Sequence, residues 1–170
     1  MGKVVGIIGA GISGLLACKY VRAKGFDPIM FESQARVGGV WTKTIETTKL
    51  QTPKGLYQFS DFPWESSVNE EFPDHHKVLH YIQSYADKFD LVQYIKFNSK
   101  VLNISFEGEE LDEVGETWAP WGEGSSSSGK GKWKISVEDM IEHSTKVCMI
   151  FSYFLCLQGP ISFIFIDLDD

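Results

Sequence analysis

Four residue positions set the chemistry open to this chain: Gly9, Gly11, Gly14 and Glu32. The glycines lie in Gly9-Ala10-Gly11-Ile12-Ser13-Gly14, directly after an apolar run, and Glu32 follows eighteen residues beyond the last of them. This is the spacing of a dinucleotide-binding turn. Gly9 permits a tight strand-to-helix turn, Gly11 leaves room for a pyrophosphate against the backbone, and Gly14 lets the helix pack closely on its strand. The helix N-terminus then offers unpaired N–H groups and the positive end of its dipole to the phosphates, so no basic side chain is required. A carboxylate at Glu32 accepts hydrogen bonds from a ribose and repels a 2′-phosphate, which suits FAD or NAD rather than NADP.

These residues work only where regular elements deliver them. Val4 to Ile8 reads as a buried strand, Leu15 to Lys24 as a helix, and Pro28 to Phe31 as a second strand ending at the acid. Val78, Leu79, Ile82, Tyr85, Ala86 and Phe89 recur at three- and four-residue intervals, predicting a helix from about 75 to 89. Lys100 to Phe106 alternates as a strand, with Trp133 to Val137 as its partner. The fold class expected is α/β: a Rossmann-like FAD-binding fold with a parallel sheet and a β-hairpin excursion.

Beyond Glu32, Ser33 and Gln34 lead to a basic residue, Arg36, then to paired glycines, Gly38 and Gly39, and an indole, Trp41. Two glycines free the backbone to pass close to a ligand, and Trp41 suits either a flat-ring wall or a core. Here the chain resembles the flavin-containing monooxygenases, most closely the plant members that include the pathogen-defence group. The resemblance runs from about Val4 to Val147 and is carried by GAGISG, FESQARVGGVW, ETTKLQTPKGLYQFSDFPW and FPDHHKVLHYIQSYADKFDLVQYIKFNSKV. It implies FAD held by Gly9, Ala10, Gly11, Ile12, Ser13 and Gly14, with Glu32, Ser33, Arg36, Gly39, Val40 and Trp41. Gln51, Thr52 and Val101, the last through its backbone near the adenine, complete the implied set. In that family NADPH, bound to a second nucleotide fold, reduces the flavin, and one oxygen atom passes to a soft nitrogen or sulfur nucleophile. The implied partner is thus a small-molecule amine or sulfide. The family often has an asparagine where this chain has Gln51; the longer amide keeps donor and acceptor but changes their reach. Catalysis would be the flavin's own, so no protein acid, base or nucleophile is assigned.

Composition bounds the rest. The 170 residues fit one domain, and 43% hydrophobic residues can fill its core. With 16 Lys and Arg against 23 Asp and Glu, and no basic run, nucleic acid is excluded as a partner. Cys18, Cys148 and Cys156 are odd in number and unpatterned, which points to buried thiols in a reducing compartment. No signal peptide precedes the first strand, and the expected location is cytoplasmic. His76 and His80 stand four apart on the predicted helix, but spacing supplies no third ligand, so no metal is assigned. Asn103-Ile104-Ser105 matches a glycosylation sequon inside a predicted strand and is set aside. Gly124 to Lys130 imitates a phosphate-binding loop, but no buried strand leads in, no helix leads out, and Gly131 stands where a hydroxyl is needed. Residues 107–131 read instead as a flexible acidic and Gly/Ser-rich loop.

The expected organisation is residues 1–147 as the N-terminal part of an FAD-binding domain, incomplete relative to the family, and 148–170 as a hydrophobic divergent tail. The first half of that tail suits a sheet strand. As a whole, residues 148–166 are long enough for a membrane anchor, at the endoplasmic reticulum for instance, but Gln158 and Gly159-Pro160 interrupt the run and favour a truncated chain end. No second strand-glycine-helix unit follows the first. Three functions are therefore open: the FAD-binding portion of an NADPH-dependent monooxygenase, a non-catalytic flavin-binding or interfering fragment of that family, and an NAD-binding protein without flavin.

Overall fold

The computed structural model describes residues 4–108, 131–151 and 153–156. Strand β1 (Val4–Ile8) leads through helix α1 (Ile12–Ala23) into β2 (Asp27–Phe31), and the two strands pair in parallel from Val4↔Asp27 to Ile8↔Phe31. A short strand, β3 (Ile95–Lys96), extends the sheet beside Met30 and Phe31. On the other side of β1 lies β7 (Tyr153–Cys156), also parallel, giving the order β3-β2-β1-β7. With parallel neighbours on both edges, β1 must be apolar on both faces, and VVGII meets that demand.

Alternation along β1 and β2 sends side chains into two cores. Val5, Ile7 and Met30 join Leu15 and Cys18 of α1 on one face, and the same core takes in Val78, Ile82 and Tyr85 of helix α3 (His75–Lys88). Val4, Ile8, Ile29 and Phe31 face the other way, against Val101, Ile104, Ile135 and Val137. These last four belong to a three-stranded antiparallel sheet of β4 (Ser99–Gly108), β5 (Gly131–Asp139) and β6 (Ser144–Phe151). The parallel sheet is thus covered by helices on one face and by a second sheet on the other.

The expected hairpin is present, with a third strand added. The apolar stretch around residue 150 divides between β6 and β7, so one run serves two sheets. The phosphate-loop mimic at 124–130 and residues 157–170 of the tail lie outside the described residues. Among the described residues, no helix is long and apolar enough to cross a membrane.

Between β2 and α3 the chain is irregular and held by aromatic rings. A four-residue helix α2 (Lys54–Tyr57) precedes Phe59, Phe62 and Trp64, which meet Tyr81 and Tyr85 on α3. Trp64 stacks on Tyr81 with centroids 4.1 Å apart. The Tyr81 hydroxyl also accepts from the Phe59 N–H at 2.8 Å and donates to the Phe62 carbonyl at 2.5 Å, fastening the segment by polar as well as apolar contacts.

Candidate functional site: the glycine loop and its carboxylate

The loop between β1 and α1 is shaped by what glycine alone permits. Gly9 has φ +89°, in the left-handed half of backbone space, and donates its N–H to the Phe31 carbonyl at 2.8 Å. A Cβ on Gly14 would lie 1.9 Å from the Gly9 carbonyl oxygen, so the helix reaches its strand only with hydrogen at that position. Helix α1 starts at Gly11 without a side-chain cap, and its first intrahelical bond runs from Leu15 N–H to the Gly11 carbonyl. The amides ahead of Leu15 therefore have no helical partner and face the loop with the positive end of the dipole.

A second glycine pair closes on the first. Gly38 donates its N–H to the Ala10 carbonyl at 3.1 Å, and a Cβ added to Gly11 would meet the Gly39 Cα at 3.4 Å. Gly39 has φ +56° and opens a single 3₁₀ turn, Gly39–Thr42. Within that turn the Thr42 hydroxyl donates to the Gly39 carbonyl, and the exposed Arg36 donates through Nη2 to the Thr42 carbonyl at 2.9 Å. The result is two glycine backbones in close approach beside uncapped amides, the kind of donors that a helix N-terminus offers to an anion.

Glu32 stands at the end of β2 and is only 5% exposed. Its Oε2 accepts the Ala10 N–H at 2.7 Å, and its Oε1 accepts the Gln34 N–H at 2.8 Å and the Ser33 hydroxyl at 3.3 Å. Its own backbone is fixed as well, by Lys96 on β3 and Ser99 at the start of β4. A carboxylate has about four acceptor positions, so capacity remains for ribose hydroxyls. One of the donors that orient Glu32, the Ala10 N–H, belongs to the loop itself, which ties the carboxylate at the end of β2 to the glycine turn.

The remaining expected residues divide. Ala10 is buried within the loop, while Ile12 is half-buried and Ser13 exposed on the first turn of α1. Val101 lies in β4 two residues after Ser99, in the cluster around Phe31, which brings it to the same end of β2 as Glu32. Val40 projects outward at 80% exposure. Trp41 is half-buried and donates its Nε1–H to the Tyr57 hydroxyl at 2.9 Å, edge-on to that ring. Burial pushes the Tyr57 phenol up to about 12, with the Trp41 hydrogen bond acting against the rise, so at neutral pH the phenol is the protonated acceptor of that bond. Gln51 and Thr52 are exposed in the bend before α2, and among the described residues no hydrogen bond joins them to the loop. Sequence spacing did not single out Tyr57, and the helical period marked Leu79 only as part of the apolar face of α3, not as the residue whose Cδ1 would lie 2.2 Å from a Cβ at Gly38. Both partners are distant in sequence, and no local pattern points to either contact.

A parallel sheet, a glycine turn feeding an uncapped helix, and a buried acid at the end of the next strand define an α/β fold of the Rossmann type. More particularly, the chain belongs to the flavin-binding monooxygenase-like family, whose model matches residues 2–118. It is 42% identical to putative flavin-containing monooxygenase 2 of Arabidopsis thaliana, over 78% of this chain and 28% of the relative. It is also 36% identical to human flavin-containing monooxygenase 2, over 61% of this chain and 21% of the relative. The chain thus spans about a quarter of the length of the Arabidopsis proteins it matches. Among solved structures, S-allyl-L-cysteine S-oxygenase from Allium sativum shares the fold with TM-score 0.69 at 19% identity, covering 92% of this chain and 36% of that one. An oxidized steroid monooxygenase bound to NADP matches with TM-score 0.65 at 24% identity, covering 93% and 26%.

Proposed function

We propose that this chain supplies the adenine and pyrophosphate half of the FAD site in an NADPH-dependent monooxygenase that oxygenates soft nitrogen or sulfur nucleophiles. The observation that carries the reading is the joint closure of Gly9–Gly14 and Gly38–Gly39 around uncapped amides, with Glu32 oriented by the Ala10 N–H. In this reading the first-turn amides of α1 hold the pyrophosphate, and Gly11 and Gly39 leave its approach clear. Glu32 accepts from the adenosine ribose, Val101 flanks the adenine through its backbone, and Trp41 and Arg36 border the path toward the ring system. When bound, FAD supplies the oxygen chemistry; the protein binds, orients and shields it. NADPH would be the reductant, an amine or sulfide the substrate and the cytoplasm the location. Residues 1–147 form the N-terminal part of the FAD-binding domain.

Support comes from family membership, and a named relative in fold, the Allium enzyme, is an S-oxygenase. Titrating FAD into the folded chain, removing excess and recording the visible spectrum tests the reading. Retained flavin absorption that is lost in Gly11→Val is the expected result, because a side chain there meets Gly39 and fills the approach. A folded chain that takes up NAD but no flavin would overturn it.

A further inference from the structure

Among the described residues, two polar or charged side chains are buried: Glu32, at 5% exposure, and His75, at 6%. Glu32 is engaged by three donors, the Ala10 and Gln34 N–H groups and the Ser33 hydroxyl. His75 is not engaged at all by comparable contacts. Its Nδ1 is buried without a hydrogen-bond partner, and its Nε2 faces Glu46 Oε2 at 3.9 Å, beyond hydrogen-bonding distance. Nε2, the ring nitrogen turned toward Glu46, has no partner at hydrogen-bonding distance and is the atom open to an ion.

Two more donors converge on the same spot. The other carboxylate oxygen of Glu46, Oε1, lies 3.1 Å from Nε2 of His76, and the His75 and His76 rings sit with centroids 3.9 Å apart. One ligand atom from each of Glu46, His75 and His76 falls within 4.8 Å of the others. The backbone fixes this meeting: Thr48 accepts the His75 N–H at 3.0 Å, and Leu50 donates to the Pro73 carbonyl at 2.9 Å. The segment carrying Glu46 therefore runs antiparallel to the entry of α3, with Asp74 opposite Lys49. His80, which spacing alone would pair with His76, is turned to Glu65 at 3.1 Å.

We infer that Glu46, His75 and His76 form a binding site for a borderline divalent transition ion, zinc above all. Two imidazoles and one carboxylate are the ligand set such ions prefer, and three protein ligands leave one position for water. Ligand bonds of about 2.0–2.2 Å require the donor atoms to draw together. Glu46 and His76, at 83% and 65% side-chain exposure, are free to make that movement around a fixed His75. A bound ion would fasten the 45–50 segment to α3 one helical turn before Leu79, the residue that packs under Gly38.

The test uses the full 170-residue chain, tag-free and stripped with a chelator. Zn²⁺ is titrated calorimetrically, and Co²⁺ absorption reports the ligand type. One equivalent should bind, and Glu46→Gln and His76→Gln should each weaken it at least about tenfold without changing the circular dichroism spectrum. No uptake, uptake unchanged in both variants, or a thiolate band with Co²⁺ would overturn the assignment.

Discussion

Helices α1 and α3 both pack on the same pair of glycines, α1 through Gly11 and α3 through Leu79, and their N-termini treat their free amides in opposite ways. Helix α1 has no side-chain cap, and its approach is lined with glycine backbone from Gly9 to Gly14. Helix α3 is capped by Asp74, whose Oδ1 accepts the Lys77 N–H at 3.0 Å. A capped N-terminus satisfies its own amides and gains roughly 1 kcal/mol in stability. An uncapped one forgoes that gain and keeps its donors for a ligand. The difference separates a helix end that leaves its amides open from one that closes its own with a side chain.

The contrast can be broken most severely at Gly14. Gly14→Ala forces a Cβ against the Gly9 carbonyl oxygen, and urea denaturation should show a loss of about 3 kcal/mol, the upper range for overpacking, together with loss of FAD binding. Glu32→Ala should cost about 2 kcal/mol, because the Ala10 and Gln34 amides lose their acceptor, and isothermal titration should show FAD affinity reduced by about tenfold or more. Asp74→Ala should cost about 1 kcal/mol and leave flavin binding unchanged, which distinguishes the capped N-terminus from the open one.

The smallest effect is one of pH. The Lys77 N–H holds the Asp74 carboxyl below its ordinary value, with the Lys77 charge and His76 assisting against partial desolvation. Stabilisation from the ionised cap is therefore present above the ordinary carboxylate pKa of about 4 and is lost as pH falls through the lowered value. Denaturation midpoints of the native chain and Asp74→Asn should converge on acidification below pH about 4. Midpoints that stay parallel would show that the cap acts as a neutral hydrogen bond.

What could be read in advance followed from how local the determinant is. The turn at Gly9–Gly14 and the placement of Glu32 at the end of β2 were legible because a tight strand-to-helix turn and close helix packing demand glycines at that local spacing. The span of α3 was legible from its apolar period, and its observed end at Lys88 stands one residue from the expected one. The division of one apolar run between β6 and β7 was not, since hydrophobicity marks a strand but not the sheet it joins. Trp41 illustrates the same limit: an indole beside two glycines suits a flat ligand, and its hydrogen-bond acceptor is a phenol sixteen residues on. Glu46 and His76, thirty residues apart, meet only because an antiparallel stretch of backbone folds one past the other.

The packing at Gly38 imposes an asymmetric rule on variation between two distant positions. Leu79 occupies the space a side chain at 38 would need, so the pair has the outward form of a compensating couple. Shrinking residue 79 would not, however, release residue 38, whose φ of +138° bars any L side chain regardless of room. Position 38 is held by two independent prohibitions and position 79 by one. Substitutions among homologous chains should accordingly drift at 79 while 38 stays glycine, a one-way dependence that a search for reciprocal covariation would miss.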